Sequence, residues 1–437
     1  MLKKVRQFIL LLGDLGLAFL ALLLTVRIGF WSEFSWSIFQ KHLLPFTLLY
    51  LLWFVIFYIF GLYDLNSIKP KRELFTRIGQ AFLTCFGISI LLFYLVDFFG
   101  LTPKSNLILN VFILAFLTLS WRRLFCSFFS AWYLQQVAFL GKNNLAEKLI
   151  TSFEHNPQMG YKFCGFLNQE VTTLEQLTSQ KIDILIVAQN ILANKKITKE
   201  LYDPLYLKIK IWDLTTAYEQ ILQKIPVSSV SHSWFLENLK ESEKKIYDQL
   251  KRLSDLAIAF VLLIITSPLW LIIATLIKLE DNGPIFYKQT RVGKNKRIFK
   301  LWKFRSMQVD AEKQGAQWAN KNDPRVTKIG KVIRQWHLDE FPQMLNVLKG
   351  DIALVGPRPE RPEFVTQLEQ KVPYYPLRHL IKSGFTGWAQ IKFHYARTIQ
   401  DSQEKFEYDL FYIKNRSFFL DLGILLKTFQ LFLKRER

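Results

Sequence analysis

The chain has 437 residues, half of them hydrophobic, with 39 Phe and a formal charge of +21. It is too apolar for an ordinary soluble protein and long enough for a membrane region plus two soluble domains. Its cysteines, Cys85, Cys126 and Cys164, form no CxxC or Cys/His spacing, which argues against a zinc site or disulfide framework and suits a reducing cytoplasmic face.

The basic residues flank apolar segments and populate one polar block near the C-terminal end. Anionic lipid headgroups and phosphate-bearing substrates fit that distribution better than nucleic acid does. Four apolar segments fill the first third, roughly Phe8 to Phe30, Leu43 to Tyr63, Ile78 to Phe99 and Leu107 to Trp121. Each approaches the ~20 residues that a helix needs to cross a bilayer core. Lys3, Lys4 and Arg6 precede the first, Lys69, Lys71, Arg72 and Arg77 separate the second from the third, and Arg122 and Arg123 close the fourth. The opposite loops hold only Arg27, Lys41 and Lys104, so the positive-inside rule puts both ends of this region, 1–130, in the cytoplasm. No small-residue cleavage site follows the first run, which reads as a retained membrane helix.

From Gln135 the pattern changes to short apolar runs separated by polar helical stretches. Val137-Ala138-Phe139-Leu140, Ile182 to Ala188 and Ile209-Lys210-Ile211-Trp212 read as buried strands, predicting a small Rossmann-like α/β domain over 135–233. A dinucleotide fingerprint needs a second glycine where the backbone meets pyrophosphate. Asn143 stands there, so the expected role is a scaffold or oligomerisation module that binds no NAD. The charged stretch that follows, 234–250, is expected to be a linker helix with a solvated face.

A fifth apolar segment, Leu256 to Ile277, is long enough to span but is strongly basic on both flanks. Ser267-Pro268 sits near its middle, where proline removes the backbone bond to the Ile264 carbonyl and costs ~3 kcal/mol in a straight helix. The Ser267 hydroxyl offsets part of that loss. These features predict a re-entrant helix over 254–278 that returns to the cytoplasm and leads into a catalytic domain, 251–437.

The chemistry concentrates around Asp339-Glu340. Pro342 is placed to start a helix that runs to Lys349 and stops at Gly350. In isolation, acidic residues there would serve to compensate the helix dipole. Arg334 before the pair and Arg358 on the Gly356-Pro357-Arg358-Pro359 turn after it change that reading, since such cations keep carboxylates ionised and hold diphosphates. Adjacent carboxylates point in different directions and can divide labour. Lys303 and Arg305 on an alternating strand, and Arg325 in Asp323-Pro324-Arg325, are further candidates for phosphate oxygens.

Several motifs in order resemble the bacterial sugar transferases, the monotopic phosphoglycosyl transferases. They are Lys251-Arg252-x-x-Asp255 ahead of Ser267-Pro268, Lys303-Phe304-Arg305-Ser306-Met307, Asp339-Glu340, and Gly384-Phe385-Thr386-Gly387-Trp388-Ala389-Gln390. The resemblance covers about Lys251 to Lys427, with Phe341 replacing the more usual Leu and Trp336-His337 as a local variant in which His337 is a shaping residue and not a base. It implies four transmembrane helices, a Rossmann-like cytoplasmic domain, and an α/β catalytic domain anchored by the re-entrant helix. It implies that Asp339 attacks the sugar-bearing phosphorus of a UDP-sugar, that UMP leaves, and that polyprenyl phosphate takes up the phosphosugar to begin a surface polysaccharide. Mg²⁺, held partly by Glu340, is the implied cofactor, and the inner membrane of a bacterium the implied location. Two rivals are a membrane-bound NAD-dependent nucleotide-sugar dehydratase or epimerase and a non-catalytic assembly or chain-length regulator. The Tyr206 to Lys210 match that the first would need runs into a predicted strand.

Overall fold

The computed structural model describes residues 2–65, 72–95, 104–131, 134–167, 181–188, 191, 209–311, 323–393 and 398–433. Tyr206, Lys69, Lys71 and the far end of the third apolar segment lie outside them. The chain divides into two compact units, Met1–Leu214 and Thr215–Arg437.

The first unit opens with four apolar helices, α1 (Leu2–Gly29), α2 (Trp36–Ile59), α3 (Arg72–Leu95) and α4 (Lys104–Ala131), each long and apolar enough to cross a membrane. Their shared core includes Leu22, Phe46, Trp53, Phe57, Cys85 and Phe125. Several of the polar groups buried among them are matched to one another, as an apolar surrounding favours. Arg122 donates to both oxygens of Asp14 at 2.8 and 2.7 Å. Asn110 donates to Thr25 Oγ1 at 3.1 Å and to Tyr50 Oη at 2.8 Å.

Beyond α4 comes a four-stranded parallel sheet of β1 (Gln135–Leu140), β2 (Tyr161–Leu167), β3 (Ile184–Val187) and β4 (Lys210–Asp213), in the order 2-1-3-4. Val137 to Leu140 and Ile184 to Val187 are buried throughout, as strands covered on both faces must be. Helix α5 (Asn144–His155) follows β1 and packs Phe153 against Tyr161 and Phe139. Gly141 takes φ 96°, and a Cβ there would lie 2.6 Å from Ile191 Cδ1. Packing and backbone conformation therefore both require this glycine. The Arg6 guanidinium, 1% exposed, donates to the Gln158 carbonyl at 2.8 Å and ties α1 to the turn before β2.

The division at Leu214/Thr215 differs from the boundary expected at 233/234. Residues after β4 belong to the second unit because their partners lie there: Ile225 N–H donates to the Glu407 carbonyl at 3.0 Å, and Lys224 pairs with Glu404 at 2.7 Å. The segment expected as one linker helix is α7 (His232–Asn238), a 3-10 turn at Glu241–Lys244 and the first turns of a longer helix, α6 being Leu214–Leu222. Lys244 leaves the turn to donate to the carbonyls of Ile413 and Lys414, at 2.8 and 2.6 Å.

That longer helix, α8 (Lys245–Asp281), has 37 residues and remains helical through Pro268. Ser267 Oγ donates to the Ile264 carbonyl at 2.8 Å, the acceptor that Pro268 cannot reach. After α8 come the antiparallel hairpin β5 (Phe286–Val292) and β6 (Ile298–Phe304), then α9 (Lys328–Gln335), α10 (Gln343–Lys349), β7 (Ala353–Val355) and α11 (Pro362–Lys371). The unit closes with β8 (Gly384–Thr386), parallel to β7, and helices α12 (Trp388–Lys392), α13 (Ile399–Asn415) and α14 (Phe418–Leu433). Val347, Leu354, Phe406, Leu410 and Ile424 form the centre of its core.

Candidate active site

The carboxylate pair sits between two helices whose ends the sequence defines. Thr327 caps α9 by accepting from Gly330 N–H at 2.9 Å. The chain leaves α9 through His337, left-handed at φ 54°, and enters a 3-10 turn, Leu338–Glu340. Leu338 packs with Ile273, Ile277, Phe304 and Ile333, which anchors the turn against α8 and β6. Pro342 caps α10, and Gly350 ends it at φ 92°. Asn346, in the middle of α10, accepts from Trp302 N–H at 2.9 Å and donates to the Lys300 carbonyl at 2.8 Å. These two bonds fix α10 against β6 and so place Lys303 beside the acidic turn.

Asp339 and Glu340 meet different environments there. Glu340 Oε1 accepts from Lys303 Nζ at 2.9 Å and from Arg358 Nη2 at 2.5 Å, while Oε2 accepts from Arg358 Nη1 at 3.2 Å. Burial opposes its charge, but Arg358 and Lys303 outweigh burial and hold the carboxyl well below its ordinary range. Asp339 is 8% exposed. Burial pushes it up to about 6, with Lys303 and Arg334 opposing and Glu340 reinforcing the rise. Of the two, Asp339 is the more basic and the less engaged.

Arg358 rests on a buried ionic platform. Arg378, 3% exposed, donates to the Arg358 carbonyl at 2.8 Å, to Asp409 at 2.9 Å and to Tyr375 Oη at 2.9 Å. Glu360 pairs with Lys405 at 2.7 Å and with Arg378 and Arg291 at 3.7 Å each. Burial opposes its charge, but Lys405, Arg378 and Arg291 bring it down to about 2. Arg291 also donates to the Pro359 carbonyl at 2.9 Å. The turn carrying Arg358 is thus gripped at that residue and at the two that follow it.

Of the sequence candidates, the structure brings together Asp339, Glu340, Lys303 and Arg358, with Arg334 close enough to act on Asp339. Arg305 lies just past the end of β6, and its guanidinium pairs with Asp281 at the end of α8. Arg325 pairs with Asp323 at 2.6 Å and donates to the Ala311 carbonyl at 2.9 Å. Neither is directed to the acidic pair by these contacts. Ser267 and Pro268 lie within α8 as described above. Sequence reasoning gave no site role to Glu360, Asn346, Asp409 or Lys405; Asn346 and Asp409 stand out only as polar residues among apolar neighbours, while Glu360 and Lys405 lie in polar surroundings that hide them. Among the described residues no group of three or more His, Cys, Asp or Glu could hold a metal. The donor set, two adjacent carboxylates, fits a hard cation that takes its other oxygens from substrate phosphates.

A family model described as Bacterial sugar transferase matches residues 246–435. Over 183 residues the chain is 48% identical to a UDP-N-acetylgalactosamine-undecaprenyl-phosphate N-acetylgalactosaminephosphotransferase of Aeromonas hydrophila, covering 42% of this chain and 43% of that protein. It is 32% identical over 320 residues to the UDP-glucose:undecaprenyl-phosphate glucose-1-phosphate transferase of Escherichia coli (strain K12), covering 67% of each. It is 38% identical over 185 residues to the exopolysaccharide production protein PSS of Rhizobium leguminosarum bv. phaseoli, covering 41% of this chain and 92% of that one. With two thirds of the Escherichia coli protein matched and Asp339 and Glu340 inside the region that the family model spans, the chain belongs to the bacterial sugar transferase family, a family of phosphoglycosyl transferase enzymes.

Proposed function

We propose that this protein transfers a sugar 1-phosphate from a UDP-sugar to polyprenyl phosphate and so begins a surface polysaccharide. The observation that carries the reading is the split between the two acids: Glu340 is held by Lys303 and Arg358, while Asp339 keeps a raised proton affinity beside them. An ionised Asp339 oxygen attacks the sugar-bearing phosphorus, the phosphoanhydride bond breaks, and UMP leaves with the bond electrons. An acceptor phosphate oxygen then attacks the same phosphorus and releases the Asp339 carboxylate. Lys303 and Arg358 balance the diphosphate charge without reorganising. Mg²⁺, held in part by Glu340, would add Lewis-acid stabilisation of the phosphoryl oxygens.

The same reading places the protein in the inner membrane, with α8 entering and returning on the cytoplasmic side and the parallel sheet acting as a Rossmann-like scaffold. The basic flanks of α8, Ser267 and Pro268, and the need to meet a nucleotide sugar support it. The relatives carry different sugars in their names, so the donor is identified by experiment. Purified full-length protein is offered a panel of UDP-sugars with undecaprenyl phosphate, and UMP release is measured. One donor should give turnover, and Asp339→Asn should abolish it while the protein still inserts. Near-normal turnover by that variant would remove Asp339 from the mechanism.

A further inference from the structure

At the opposite end of α10 from the acidic pair lies a cavity of about 90 Å³, lined in part by Arg252, Asp255, Lys294, Lys382 and Tyr412. The seven residues of α10 put roughly 10 Å of helix between the two places. Not every cation on its wall is free to act. Lys251 is taken by Asp421 at 2.7 Å, and Arg416 by Glu241 and Asp248. Arg252 is different: it donates to the Val347 and Leu348 carbonyls at 2.6 and 2.9 Å and, among the described residues, pairs with no carboxylate. Among the described residues, Lys294 and Lys382 make no ion pair. Gly350 permits this crowding, since a Cβ there would lie 3.2 Å from Arg252 Nη2 and 3.5 Å from Lys382 Nζ.

We propose that the cavity walled by Arg252, Lys294 and Lys382 is a second phosphate-binding site, separate from the acidic pair. Three cations face one hollow with acids that offset only part of their charge. Burial, Arg252 and Lys294 lower the proton affinity of Lys382, while Asp255 and Asp351 act against that change. An oxyanion would relieve the repulsion and replace lost hydration with charge-assisted hydrogen bonds. The ligand chemistry is a phosphate ester, and two sources supply it. One is the headgroup of an anionic phospholipid, because Arg252 lies on α8, whose neighbouring Leu250 and Leu253 are 61% and 65% exposed. The other is a soluble phosphate reaching Lys294, which is exposed.

The test uses the full chain in detergent at low ionic strength, where surface screening is weak. Inorganic phosphate is titrated calorimetrically, and retention of phosphatidylglycerol against phosphatidylcholine is followed by native mass spectrometry. Lys294→Gln with Lys382→Gln should weaken one of the two probes by roughly tenfold or more. Loss of phosphatidylglycerol retention identifies a lipid site, and loss of inorganic phosphate alone identifies a soluble ligand. Lys382→Arg should preserve binding, which separates lost charge from lost folding. Lys303→Gln should leave this binding intact even if the catalytic reading fails. Unchanged affinity of the double variant for both probes would overturn the proposal.

Discussion

Asp339 and Glu340 are neighbours in the chain and opposites in their titration. The sequence made the pair conspicuous, and the rule that adjacent residues do not face each other made a division of roles readable. It could not assign cations to acids. Arg305 and Arg325 look equivalent to Lys303 in the sequence, yet Asp281 and Asp323 claim them, because which carboxylate an arginine meets is settled by tertiary packing. The raised Asp339 gives a pH prediction. On the proposed mechanism its active form is the carboxylate, so UMP release without acceptor should rise with pH through about 6 and level off above it. The nucleotide-sugar diphosphate diester does not titrate in that range, which leaves the limb to the enzyme. Lys303 lowers the proton affinity of Asp339, so Lys303→Met should move the limb to higher pH. A limb unmoved by that substitution would assign it to another group. Arg378 yields a stability prediction. Replacing it with Met leaves Asp409, 1% exposed, without its partner and should cost about 3–5 kcal/mol in thermal unfolding. Arg378→Met with Asp409→Leu should lose less than the sum of the single changes.

The elements whose signal is local were legible. Pro342, the α10 segment and the Gly350 stop stand where proline and glycine rules put them, and three of the four strands of the parallel sheet coincide with apolar runs. Strand β2 was not, because Lys162, Cys164 and Gly165 interrupt its apolar pattern at the edge of the sheet. Helix α4 runs past Arg122, which reads as a flank in sequence but is 1% exposed and paired with Asp14. A buried partner more than 100 residues away leaves no local mark. The path of α8 through a bilayer is open to measurement. Ser242 and Arg297 are exposed and lie on either side of its apolar stretch. Each is replaced singly by Cys in a cysteine-free background. If α8 re-enters, an impermeant thiol reagent should label neither in intact cells and both after permeabilisation. Labelling of the Arg297 position alone in intact cells would mean that α8 spans. Pro268→Ala restores an N–H for the Ile264 carbonyl and should shift part of the population toward a straighter, spanning helix with lower activity.

At the scale of the molecule, the order of parts was readable from changes in hydrophobic period, whereas the Leu214/Thr215 division was not. Lys224 and Ile225 look like a continuation of the sheet region until Glu404 and Glu407 are seen to hold them. The sheet region also bears on the NAD-dependent rival. A dinucleotide site uses free N–H groups at the first helix after β1, approached closely by a glycine backbone. Asn143 Oδ1 instead accepts from Ala146 N–H at 2.7 Å, and the Gly141 Cα faces Ile191 and Ala188. One first-turn donor of α5 is thus already satisfied, and the glycine serves internal packing. Equilibrium dialysis of the full-length chain with NAD should therefore detect no binding up to about 1 mM, the affinity of only ~4 kcal/mol of interaction. Asn143→Gly should not create a site, because it supplies the second glycine and frees one N–H but leaves Gly141 packed against Ile191 and Ala188. Micromolar NAD binding by the unmodified chain, abolished by a bulky residue at Gly141, would instead favour the dehydratase or epimerase reading.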